Sequence, residues 1–187
     1  MPNLAKPLNY GLLFCLMLWP LPSLADDFAA KVRYAELAET TGGYSVNTEI
    51  DYQLSPTAKE ALHKGVPLAW DVSIKIRQPG FLRNTTLYKK KLPYSLQFHA
   101  LLNQYEVKGP SGQVEMFLTL NAALNFMALL HDAAHIDKGL LKPGHDYQLA
   151  VRTRFNRELL PVPLRPVAYL DAQWFLSSDW FIWPIQK

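Results

Sequence analysis

Two histidines four residues apart, in the run His131–Asp132–Ala133–Ala134–His135, come nearest to a catalytic spacing in this chain. On a helix that spacing presents both imidazoles to one metal ion. The zinc-protease pattern carries glutamate where this chain has Asp132. Aspartate is one methylene shorter, so a general base there is held back from a metal-bound water. A third ligand would have to come from Asp137 or His145. The competing reading ends the helix near His131, where an imidazole interacts favourably with the terminal carbonyls. His131 and His135 therefore define one hypothesis, a metal-dependent hydrolase, beside a plain structural alternative.

Other catalytic patterns are missing from the sequence. It has no Gly-x-Ser-x-Gly elbow, no glycine-rich phosphate loop and no dinucleotide fingerprint. Ser177–Ser178–Asp179 reads as a turn with side-chain-to-backbone hydrogen bonds. The remaining candidates are binding residues. Arg152 and Arg154 fall on one face of an alternating segment, and Arg157 and Arg165 follow closely; guanidinium groups so placed can grip a carboxylate or phosphate bidentately. Their structural alternative is cross-strand pairing with acids. Lys89–Lys90–Lys91 is a basic patch suited to peripheral contact with an anionic membrane surface, or to a solvated edge kept from aggregating. Trp180 and Trp183, near the C-terminus, are either a partner surface or a cover over an open end of the core, whereas Trp174 reads as core.

The elements that position these residues read mostly as strands. Tyr44, Val46, Thr48, Ile50, Tyr52 and Leu54 alternate with polar residues, and Thr41–Gly42–Gly43 joins this segment to Phe28–Leu37 as a hairpin. Ser55 caps and Pro56 opens a short helix that Gly65 stops. Val66, Leu68, Trp70, Val72, Ile74 and Ile76 share one face of a strand, with Asp71, Ser73, Lys75 and Arg77 on the other. A weaker strand is expected over Phe81–Tyr88. Another starts at Tyr94 and shifts phase near Leu101–Leu102, which suggests a bulge. A turn at Gly109–Pro110–Ser111–Gly112 leads into a strand over Gln113–Leu120. A second, mostly buried helix is expected over Ala122–His131, capped by Asn121. Lys142–Pro143–Gly144 turns the chain into a strand from Tyr147 to Phe155. Leu160–Pro166 reads as extended and irregular, and Ala168–Ser177 as a final aromatic strand. This adds up to a mainly β chain, an antiparallel β-sandwich or alternatively a β-barrel, with two short helices.

Composition adds limits. The 187 residues carry a formal net charge of +3, too little by itself to suggest a nucleic-acid binder. Residues 1–25 have the pattern of a cleaved export signal: Lys6, the apolar run Leu12–Trp19, helix-breaking Pro20 and Pro22, then Ser23–Leu24–Ala25. Its removal would leave a single domain over residues 26–187. Retention as a membrane anchor is the alternative, although the apolar run is shorter than a bilayer span of about 20 residues. Cys15, the only cysteine, falls within that segment, so the expected mature chain has no disulfide, cysteine metal site or thiol nucleophile.

Four stretches carry a resemblance. They are Leu62–His63–Lys64–Gly65–Val66–Pro67–Leu68; Tyr94–Ser95–Leu96 leading to Leu101–Leu102–Asn103–Gln104–Tyr105; Leu140–Leu141–Lys142–Pro143–Gly144; and Leu160–Pro161–Val162–Pro163–Leu164 followed by Trp174–Phe175–Leu176–Ser177–Ser178–Asp179–Trp180. Together they resemble a proteobacterial exported family known as domain of unknown function 4390. His131 and His135 are not part of that pattern. The resemblance implies a Gram-negative periplasmic setting and supplies no activity. The sequence thus leads to an expected non-catalytic binding or accessory module of the cell envelope, with no cofactor and an envelope protein as partner. The alternatives are the hydrolase at His131 and His135 and a protein that binds lipid or another apolar ligand.

Overall fold

The structure, a computed structural model, describes residues 28–185. The expected export signal and Cys15 lie outside the described residues. Among the described residues, ten strands and three α-helices follow in the order β1 Ala30–Thr40, β2 Gly43–Tyr52, α1 Pro56–His63, β3 Leu68–Gln78, β4 Thr85–His99, β5 Gln104–Lys108, β6 Val114–Phe117, α2 Leu120–Ala128, β7 Leu129–Leu130, β8 His135–Asp137, β9 Tyr147–Phe155, α3 Arg165–Leu170 and β10 Phe181–Ile185.

The strands form two antiparallel sheets. In the smaller, β1 pairs with β2, and the short β7 and β8 also pair with β2. The larger has the order β10-β9-β3-β4-β5-β6. Inward residues of both sheets meet in one core: Val46, Ile50 and Tyr52 from β2; Leu68, Trp70, Val72, Ile74 and Ile76 from β3; Leu149, Val151 and Phe155 from β9. The arrangement is the expected β-sandwich. The sheets do not close on each other, so the barrel alternative is not formed. The space between them is filled by large side chains, Trp70 and Trp174 among them, which removes the barrel interior as a place for an apolar ligand.

Local chemistry explains the first half of the chain. The side chain of Ser55 accepts a hydrogen bond from Ala58 N, Pro56 occupies the first turn of α1, and Gly65 follows with φ +83°. Gly43 starts β2 where a side chain would run into the carbonyl of Ile136 on β8. That close approach admits only glycine.

Several expected elements differ. Phe81–Tyr88 and the segment from Tyr94 do not form two strands; one strand, β4, spans Thr85–His99, and Phe81 and Leu82 are fully exposed in its hairpin loop. The lysine run and Pro93 suggested a break. β5, however, pairs only with Ser95–His99, so no strand covers the second edge of β4 at Pro93, where a missing N–H is tolerated. The phase shift near Leu101 is a hairpin turn, with Asn103 in the left-handed region, and not a bulge.

Helix α2 is capped by Thr119 instead of Asn121 and stops at Ala128, because Leu129 and Leu130 pair with β2. It buries only Ala123 and Met127 and is less buried than expected. The proline-rich stretch is not extended: it forms 3-10 turns at Arg157–Leu159 and Val162–Leu164, then α3, a third helix, with Pro166 in its first turn. Ala168–Ser177 is accordingly helix and turn. The last strand is β10, which pairs with β9 and carries Trp183.

A hydrogen bond across the sandwich helps tie the segment between α3 and β10 to the core, beside the bonds of Gln173, Ser177 and Ser178 to Ser55 and β9. The indole N–H of Trp70 donates to the carbonyl of Leu176 at 3.0 Å. Tyr52 and Phe155 pack against the Trp70 ring at 5.5 and 5.2 Å, and Trp174 stacks on Phe155 at 6.0 Å. Trp70→Phe keeps an aromatic ring, loses volume and leaves the Leu176 carbonyl without its donor. Urea denaturation should show a loss of about 2–4 kcal/mol. An unchanged midpoint would mean that the segment is held by other contacts.

Candidate functional site

β3 lies between β4 and β9, and the register of both pairings decides which side chains share its outer face. Asp71 stands opposite Pro93 and Arg154, Ser73 opposite Lys91 and Arg152, and Lys75 opposite Lys89 and Ala150. Each strand alternates, so the apolar residues at the intervening positions fill the core. The outward positions then gather Lys75, Lys89, Lys91, Arg152 and Arg154 on one surface.

These residues line a groove of about 620 Å³ on the outside of the larger sheet. Arg157, Glu158, Tyr169 and Phe175 wall one side of it, and Ser177, Ser178 and Asp179 complete the lining near β9. Six lining residues are cationic and three (Asp71, Glu158 and Asp179) are acidic, an excess of three positive charges. The whole chain has a formal net charge of +3. The modest overall charge therefore conceals a strongly uneven distribution, which composition alone cannot show.

The acids do little to neutralise the arginines. Asp71, nearly buried, accepts from Lys91 Nζ at 3.0 Å and from Asn156 Nδ2 at 3.1 Å. Arg154 faces Asp71 in register, but that carboxylate is engaged elsewhere. Among the described residues, Arg152, Arg154 and Arg157 form no ion pair within 4.0 Å. Cross-strand pairing with acids, the structural alternative for these arginines, is thus not what holds them.

Aromatic rings do part of that work. Lys75 Nζ and Arg77 Cζ lie 4.6 and 4.5 Å from the Trp180 ring centroid, with Arg152 Cζ at 5.9 Å. Arg157 Cζ lies 4.8 Å from Phe175 and 5.3 Å from Tyr169. Such contacts favour a cation by about 0.5–1 kcal/mol at exposed sites without cancelling its charge. Arg152 also donates from Nε to the carbonyl of Ser178 at 3.1 Å. Ser178 and Ser177 are fixed in turn, their hydroxyls accepting from the backbone N–H of Thr153 and Phe155. Ser177–Ser178–Asp179 makes the expected side-chain-to-backbone bonds, but it is not the expected turn: the serine hydroxyls bond the backbone of β9, and the segment presents Trp180 to the cations.

Crowding leaves an electrostatic mark on Lys75. Its pKa is held below 10.5, first by partial desolvation and then by the neighbouring charges of Arg77, Lys89 and Arg152. A base whose native pKa is lowered opposes folding while it is charged. That cost is relieved as pH rises from its native pKa toward its unfolded value.

The structure brings Arg152, Arg154, Arg157, Lys89, Lys91 and Trp180 together. Arg165 is not part of the groove; its Nε donates to the Leu160 carbonyl at 2.8 Å and closes a turn. Lys90 opposes Ile74 and is absent from the groove lining. Trp183 is half-exposed on β10. Sequence reasoning missed Lys75, whose outward position was legible, because nothing in one strand reveals its neighbours.

The histidine pair is arranged differently from the expectation. α2 ends before His131, and His135 lies on β8, opposite Ser45 of β2. The two imidazoles are therefore not one turn apart on a helix. Asp132 has φ +51°, accepts from the Ser45 hydroxyl and donates its backbone N–H to Asn47 Oδ1, so it is a turn residue tied to β2. His135 Nε2 lies 3.9 Å from Asp137, while His145 stacks on Tyr147 and bonds the Pro143 carbonyl. Among the described residues no three histidine, cysteine or acidic side chains converge as metal ligands.

A family model described as "Domain of unknown function (DUF4390)" matches residues 28–184. No curated protein and no solved structure matches the chain.

Lys89 stands directly opposite Lys75 without an acid between them. Lys89→Gln should raise stability at low salt by about 0.2–1 kcal/mol, the scale of one cross-strand charge pair. The gain should shrink in strong salt as screening increases. Thermal melts at two ionic strengths read both effects, and a loss of stability at low salt would contradict the like-charge reading.

Proposed function

The chain belongs to the DUF4390 family, whose description carries no activity, and from the groove we propose that it is a non-catalytic binding module that holds an anionic group of its ligand. The single observation behind this reading is the register of β3 with β4 and β9, which gathers five cations on one face; Arg157, just past β9, makes six around one groove lined by only three acids. A fold gains nothing from like charges held on adjacent strands. An anion bound there would relieve that repulsion and accept hydrogen bonds from Arg154 and Arg157, whose guanidinium forks suit phosphate or carboxylate. The reading includes export to the periplasm, supported by the signal-like pattern of residues 1–25 and by the resemblance described above. It includes service as an accessory of the cell envelope, with an envelope partner supplying the anionic group.

Inorganic tripolyphosphate is a suitable probe, titrated calorimetrically into the protein at low salt. Arg154→Ala removes a side chain that is exposed and bonded to no acid, so folding should be unaffected. Affinity should fall about tenfold, in keeping with the loss of one charged hydrogen-bonding group of about 1.5 kcal/mol. Arg154→Lys should retain part of it. Equal affinity in Arg154→Ala would place the anion outside the groove.

A further inference from the structure

The groove has an apolar flank. Leu159, Val162, Val167, Tyr169, Leu170 and Phe175 are all 47% or more exposed on the turns and helix that follow β9. Leu170 is 86% exposed and Val162 68%. A single exposed leucine is ordinary, but six large apolar residues within seventeen positions form a patch that calls for a partner. The patch continues into the groove, because Tyr169 and Phe175 belong to both and enclose Arg157 between them.

We infer that this composite surface docks on an anionic lipid bilayer, with headgroup phosphates in the groove and the side chains around α3 in the interface; the inference rests on the anion-binding reading above. Charge complementarity selects the bilayer's sign. Basic residues near an anionic surface are each drawn to it, and the groove lining carries six against three acids. Shape selects a bilayer over an acidic polypeptide. Val162, Val167 and Leu170 project from a short turn and a six-residue helix, outside the lining of the groove. A protein partner would need a matching hollow for each of them, whereas a lipid interface takes projecting side chains without one. Tyr169 and Phe175 sit at the junction of charge and apolar surface, the level where aromatic rings settle at a headgroup boundary. Among the described residues no helix is long and apolar enough to cross a membrane, so the contact proposed is peripheral.

The test is vesicle co-sedimentation of protein recovered from cells that express the full chain, using phosphatidylcholine vesicles with and without phosphatidylglycerol. The protein should sediment only with the phosphatidylglycerol vesicles and be released by salt. Val167→Ser combined with Leu170→Ser changes two exposed positions and should weaken sedimentation about tenfold, the scale expected from withdrawing buried leucine and valine surface. Tripolyphosphate binding should be unchanged in that variant, which shows that it is folded and that its groove is intact. Tripolyphosphate binding without vesicle binding would overturn the membrane inference and leave the anion site standing. Capture by polyglutamate in place of vesicles would assign the surface to an acidic polypeptide. Undiminished sedimentation of the double variant would also overturn the inference, and binding to none of the three probes would remove both readings.

Discussion

Strand β3 is held on both sides, by β4 along one edge and by β9 along the other, and its register cannot slip. Leu68, Trp70, Val72, Ile74 and Ile76 must all stay in the core, since a shift of one position would bury Asp71, Lys75 and Arg77 instead. This constraint also fixes the outer face. Once the core register is set, Lys75 has to face Lys89, and Arg152 and Arg154 have to stand beside them. The apolar burial of five large side chains, at roughly 1.5–3 kcal/mol each, far outweighs the repulsion it imposes on the opposite face. The charged groove is therefore a consequence of a strong core, maintained at a small local cost.

The segment after α3 links the two faces. Trp70 holds Leu176 from the core side, and Ser177 and Ser178 bond the backbone of β9 at its end. Two residues later Trp180 lies under three cations on the outer face. A few residues thus carry a core hydrogen bond, a strand-like connection and an aromatic platform in succession. The same path runs past Phe175, which joins the groove to the apolar turns around α3. Packing, charge and exposed apolar surface are consequently coupled through one stretch of chain.

Much of this was legible in the sequence. Period-two alternation identified β2, β3 and β9 with their inward residues, and Ser55, Pro56 and Gly65 marked α1, because each signal is local. The failures have physical causes. Three lysines and a proline hid the continuity of β4, since an exposed half-edge tolerates residues that an enclosed strand would not. The prolines make Leu160–Pro166 read as extended and irregular, although Pro166 lies in the first turn of α3, where its missing N–H costs nothing. The histidine pair looked helical until the pairing of Leu129 and Leu130 with β2 ended α2, a tertiary effect outside any window of sequence. For the groove, Arg152, Arg154, Arg157, Lys89, Lys91 and Trp180 are each visible as candidates, but not as one site. Lys75 joins them only through the pairing of β3 with β4 and β9 and the contact with Trp180.

The central claim is that the outer face of β3, β4 and β9 is an anion site. Nuclear magnetic resonance of isotopically labelled protein tests it most directly, following arginine Nε–H and indole N–H signals during titration with tripolyphosphate. The account predicts saturable shifts concentrated at Arg152, Arg154, Arg157 and the Trp180 indole, with Trp70 and Trp174 unmoved in the core. Shifts confined to the smaller sheet, or none at anion concentrations that saturate the calorimetric signal, would contradict it.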